Sequence, residues 1–164
     1  MELNKTGLEF LKRNDKVQSL KYLKQAEKTL VKRMRIDGNV PIIMKLLSVT
    51  LNNLACFNKR EGRFQIALRY LARVLQIEKY ALQDINSLAS TYLNVSAILS
   101  NLNKHKDSLK FAKRANEMFM KEKERLMSEG VDAVDDLGLE TDGDLPESFR
   151  TNLIISFFNM GAEY

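Results

Sequence analysis

The chain has 164 residues, 45% of them hydrophobic, with two prolines, a single cysteine (Cys56) and no tryptophan. That composition supports one domain with a real core, excludes an internal disulfide and makes a reducing compartment, the cytoplasm, the expected setting. The formal net charge of +5 hides an asymmetry: residues 1–128 hold 25 Lys and Arg against 12 Asp and Glu, whereas residues 129–164 hold Arg150 alone against nine acids. The body is therefore basic and the tail acidic, which suits an acidic partner for the body or a tail that folds back over it. No run approaches the roughly 18 apolar residues of a membrane span, and the opening MELNKTGLEFLKR lacks the apolar stretch of a signal peptide.

Strand-like alternation is scarce, and apolar residues recur at three- and four-residue intervals, so the chain reads as all-α. Residues 2–13 predict a short helix with Leu8, Phe10 and Leu11 apolar, closed by the Asn14-Asp15 turn and cap signal. Residues 16–36 predict a longer helix that buries Val17, Leu20, Leu23, Ala26, Leu30 and Val31. Asp37-Gly38-Asn39 ends it, and Pro41 suits the first turn of the next helix, which runs to about Lys59. A helix from Phe64 to about Lys79 follows, then one from about Leu82 to Leu102 and one from about Asp107 to Met127. Residues 128–146 are acidic and without periodicity, and read as a loop. A last helix over 147–164 carries Phe149, Leu153, Ile154 and Phe157 as the opening of a further repeat or a cap. About seven helices are predicted.

The best-defined stretch is Leu51 to Leu75, LNNLACFNKREGRFQIALRYLARVL. It reads as two amphipathic helices joined at Gly62, with small Ala55 and Ala67 where the helices approach. The pattern recurs. Ser19, Ala67 and Ser108 each begin a small-Leu pair followed by apolar residues, and Gly7, Ala55, Ser96 and Gly161 align on the preceding helices, the first three at separations of 48 and 41. The hairpins are expected over about 2–36, 41–79 and 82–127. Neither helix of such a unit buries its stripe alone, so the units must stack.

These positions resemble the tetratricopeptide repeat (TPR) family, in which helix A carries a bulky residue, Leu, a small residue and an aromatic, and helix B carries Ala, Leu or an aromatic, and Ala. Residues 51–79 fit this pattern best. The LNNLA run and the period of 41 are similar to the long repeats of kinesin light chains, which adds the cytoskeleton as a place of work. The closing proline and the tryptophan of helix A are absent. The resemblance implies a right-handed superhelix of antiparallel hairpins whose A helices line a concave groove, used to bind an extended peptide or a partner helix.

Chemistry for catalysis is sparse. His105 stands in the turn beside Lys104 and Lys106, and no HExxH, CxxC or GxxxxGK[ST] motif occurs. The acids from Asp132 to Asp144 lack the spacing of a Ca²⁺ loop. The chain is read as a non-enzyme without metal or cofactor. The polar residues on the A helices are more telling. Asn53 and Asn94 occupy one motif position, where the resemblance implies an amide that bonds the backbone of a bound peptide; Asn can both donate and accept. Asn52 and Cys56 neighbour Asn53, and Lys59 and Arg60 follow one turn on, placed to hold carboxylates. The expected partner is another protein that offers an acidic or extended segment. A structural segment of a larger assembly and a nucleic-acid-binding repeat are the alternatives. Against nucleic acid, the lysines at 21, 24, 28 and 32 are read as falling all round their helix, and no aromatic platforms are interleaved with them. No membrane partner is expected. Because repeats are cut at both ends, the chain is read as a fragment of a longer array.

Overall fold

In a computed structural model, the structure describes residues 2–82 and 84–129. These residues form six α-helices and one π-helical turn, with no strand among the described residues: α1 (Glu2–Lys12), α2 (Lys16–Asp37), α3 (Pro41–Arg60), α4 (Phe64–Ile77), the π turn (Glu78–Leu82), α5 (Ile85–Asn101) and α6 (His105–Glu129). The predicted helix over 147–164 and the acidic loop lie outside the described residues, apart from Ser128 and Glu129, which extend α6. The chain divides into two compact units, residues 1–84 and 85–164.

Three hairpins pair neighbouring helices: α1 with α2, α3 with α4, and α5 with α6. The turns between them share one device. Asn14, Gly62 and Asn103 have φ of 61°, 68° and 56°. In each, the next residue donates its N–H five residues back: Asp15 to Phe10, Arg63 to Asn58 and Lys104 to Leu99, at 2.8–2.9 Å. A left-handed residue just past the helix end, with this long backward bond, satisfies carbonyls that the helix itself leaves orphaned. Glycine takes that conformation freely, and asparagine is the side chain that tolerates it best.

Five residues past each left-handed residue stands a small one, Ser19, Ala67 or Ser108, and all three are fully buried. The facing helices present Gly7, Ala55 and Ser96. At Gly7 the approach is closest: a Cβ there would stand 2.9 Å from Leu23 Cδ2 and Cγ.

In the first unit, Leu23, Leu54 and Phe57 form one buried cluster with Leu11, Leu20 and Tyr70 against it. A second cluster joins Leu47, Leu51 and Val74 to Leu30, Val31, Met34 and Ile77. Asn4 Nδ2 donates to Thr50 Oγ1 at 2.7 Å and ties α1 to α3, and Phe10 stacks on Tyr22 with centroids 5.4 Å apart. In the second unit, Ala89, Leu93, Ala115 and Phe119 are buried together.

The structure departs from the sequence reading at three places. Val17 is 76% exposed. At about 100° per residue it falls on the side of α2 opposite Ser19, Leu23 and Ala26. The helix expected from Leu82 begins at Ile85, because α4 widens into the π turn. There Glu78 is buried, and its Oε1 accepts from Ser48 Oγ at 2.9 Å. A π turn admits an extra residue and so reorients the side chain without ending the coil. His105, read as a turn residue, opens α6 and is exposed.

Candidate functional site

Helix α3 is built to show one polar face. Its buried side holds Leu47, Leu51, Leu54, Ala55, Phe57 and Asn58, and a different side carries the polar candidates. Asn52, Asn53, Cys56 and Lys59 are half-buried there, and Arg60 is exposed at the helix end. Steps of three and four residues place Asn53, Cys56 and Arg60 along one line.

A groove of about 280 Å³ opens between α1 and α3, the first helices of two successive hairpins. Arg60 lines it from α3. Lys5, Glu9 and Lys12 line it from α1, with Leu8 and Leu11 beneath. Three cations thus face a single carboxylate over an apolar floor. Lys5, Leu8, Glu9 and Lys12 were legible as one face of α1 from their spacing. Nothing in the sequence of α1 says that this face meets the end of α3.

The candidate amides differ from one another. The Asn53 amide nitrogen is buried and has no acceptor. Asn52 and Asn94 are both engaged in interactions. Asn94 lies on α5, in the second unit, half-buried. Cys56 is a free thiol. Burial pushes its pKa up, and the nearby Lys59 and Arg60 offset this only in part. A thiol held in its protonated form is a poor nucleophile.

Near the chain's other basic region, the structure corrects one reading. The lysines of α2 do not scatter. Lys24, Lys28, Lys32 and Arg35 line one groove between α2 and α4, together with Arg73. Their steps of four, four and three residues keep them on one side of the helix.

Among the described residues no three His, Cys, Asp or Glu side chains gather to hold a metal ion, and no helix is long and apolar enough to cross a membrane. The acids from Asp132 to Asp144 lie outside the described residues.

No curated protein matches the chain. Residues 47–79 match the family model described as "Tetratricopeptide repeat". That span covers most of α3, all of α4 and the turn at Gly62, the same arrangement of left-handed residue and small crossing residue that α1–α2 and α5–α6 repeat. Over residues 47–79 the chain is thus similar to a tetratricopeptide repeat.

Proposed function

We propose that this protein is a non-catalytic interaction module whose α1–α3 groove binds an extended acidic segment of a partner protein. Tetratricopeptide repeats generally mediate protein–protein interaction, which sets the class. The observation that carries the finer reading is the groove itself, where Lys5, Lys12 and Arg60 surround Leu8 and Leu11. Carboxylates of the partner pair with these cations, and its apolar side chains rest on the leucines. Arg60 offers a planar fork that can hold a carboxylate through two bonds at once.

Asn53 supplies the main-chain contact. A buried donor without an acceptor is costly, and the terminal torsion of asparagine is broad, so the amide can turn toward an arriving carbonyl. Lys59 extends the positive edge, and Asn52 and Cys56 bound the surface beside it. In the second unit Asn94 holds the motif position of Asn53 and is assigned the same role there.

Titration of extended acidic peptides against the full chain tests the reading. Arg60→Ala should weaken binding by roughly 1–3 kcal/mol, as expected for a charge-assisted bond, and Asn53→Ala by about 1 kcal/mol. Affinity should fall as salt rises, since the Debye length is only about 10 Å at 0.1 M. Peptide affinity indifferent to both substitutions removes the groove assignment while leaving the fold intact.

A further inference from the structure

A second surface of the first unit has a different geometry. The groove between α2 and α4 has a volume of about 770 Å³, well over twice that of the α1–α3 groove. Its rim carries Lys24, Lys28, Lys32 and Arg35 from α2 and Arg73 from α4. One carboxylate, Glu27, lies among them and is already engaged: Lys24 Nζ meets its Oε2 at 2.9 Å and Arg73 Nη1 its Oε1. Lys24 also stands over the Tyr70 ring, 5.0 Å from its centroid. Glu27 therefore fixes two cations in place and ties α2 to α4. The neighbouring Asp37 is taken by Arg33 at 3.0 Å. Among the described residues, Lys28, Lys32 and Arg35 have no carboxylate partner.

We infer that this groove docks an acidic amphipathic helix of another protein, with carboxylates at four-residue spacing against the α2 cations and an apolar side chain over Val31. The pitch supports a helix. Residues four apart rise about 6 Å along a helix axis, so Lys24, Lys28 and Lys32 present charge at the repeat with which a second, parallel-lying helix presents its own i, i+4, i+8 side chains. The floor supports an amphipathic one. Val31 lines it, and most of the exposed groove surface is carbon, as expected where long basic side chains lay their stems along apolar ground. A nucleic-acid backbone has no apolar group to place on that carbon, and no aromatic ring lines the groove to stack a base. This inference does not rest on the α1–α3 groove: the two surfaces share no lining residue.

The probe is a short labelled alanine-based helix with Glu at every fourth position and Leu between the glutamates. Its controls are a peptide of the same composition with the order permuted, and a short DNA duplex. Anisotropy titrations use the full chain. The patterned helix should bind, and Lys28→Glu/Lys32→Glu should weaken it by about tenfold or more, since each lost pairing becomes a repulsion. Lys28→Gln/Lys32→Gln should fall between, which separates charge from misfolding, and Lys104→Glu/Lys106→Glu, exposed in the second unit and outside both grooves, should leave the affinity unchanged. Equal binding of the permuted peptide, preference for the duplex, or indifference to the Lys28/Lys32 reversal overturns the inference. So does binding that appears only after Asp132, Asp135 and Asp136 are changed to Asn, because the chain's own acidic stretch would then be the occupant.

Discussion

The hairpins α3–α4 and α5–α6 solve one packing problem with different chemistry. In α3–α4 the crossing positions are Ala55 and Ala67, 1% and 0% exposed, whose side chains carry no polar group. In α5–α6 the same two positions hold Ser96 and Ser108. Their hydroxyls stand 3.0 Å apart, and Ser108 Oγ donates to the Ser96 carbonyl at 2.9 Å. The turn is closed by Gly62 in the first hairpin and by Asn103 in the second. What the repeat demands at the crossing is therefore small volume, and a hydroxyl placed there does best where it finds a partner. The hairpin α1–α2 shows the third outcome. Ser19 is fully buried opposite Gly7, which has no side chain to answer it, and its Oγ has no partner.

The largest effects should come from the aromatic anchors of the two units. Phe57 and Phe119 are both fully buried. Truncation of either to Ala should cost about 3–5 kcal/mol in denaturant unfolding. A loss under about 1 kcal/mol at one of them would mean that its unit is loosely packed and that the hairpins are not equivalent.

Overpacking the crossing should come next. Ala67→Leu is expected to cost roughly 1–3 kcal/mol. Ser108→Leu should cost at least as much, because it also removes the hydroxyl pair. If Ala67→Leu melts like the parent, the crossing is not close-packed and the comparison fails.

The turns offer a sharper contrast. Gly62→Ala forces a Cβ into a left-handed backbone and should cost on the order of 1–2 kcal/mol. Asn103→Gly relieves the same strain and should be neutral or slightly stabilising. Equal responses of opposite expectation would show that the backward hydrogen bond, and not φ, sets the cost.

The serines predict opposite signs. Ser108→Ala breaks a buried hydroxyl pair and should destabilise by about 1 kcal/mol, whereas Ser19→Ala removes an unsatisfied hydroxyl and should stabilise by a similar amount. Thermal melts of the two single variants decide this, and the double change Ser96→Ala/Ser108→Ala should lie close to the parent.

The smallest effect concerns acid. Burial alone would raise Glu27, but hydrogen bonds from Lys24 and Arg73 outweigh it and hold its carboxyl below the usual range. Glu122 in the second unit is lowered by its hydrogen bonds to Arg125, at 2.9 and 2.6 Å. A carboxyl lowered on folding adds stability above its unfolded pKa, and that stability is lost as pH falls through the folded value. Glu27→Gln and Glu122→Gln should therefore each flatten the acid limb of stability against pH, below the ordinary carboxylate range. An acid limb unchanged in either variant would show that the pair is formed without net gain.

Much of the fold is legible in the residues. Helical spacing marks each element, the Asp15 side chain caps α2 by accepting from Gln18 N–H at 3.0 Å, and the aligned small residues place the crossings. Helix ends were less legible. At the π turn Glu78 accepts a hydrogen bond from Ser48, thirty positions away, which no local pattern announces. The candidate site was legible only as one helix face. Asn53, Cys56 and Arg60 follow from spacing on α3, but the meeting of Arg60 with Lys5 and Lys12 depends on how α1 packs, and the gathering of the α2 cations with Arg73 depends on how α2 meets α4.

The division has a physical cause. Period, cap and turn chemistry act within a few residues, so the sequence alone determined that this chain is a set of helical hairpins with small residues where they cross. Grooves belong to pairs of helices. Which cations gather around Glu27, which amide nitrogen is left without an acceptor at Asn53, and which basic faces meet were decided by tertiary packing, because each depends on residues tens of positions apart being brought to one place.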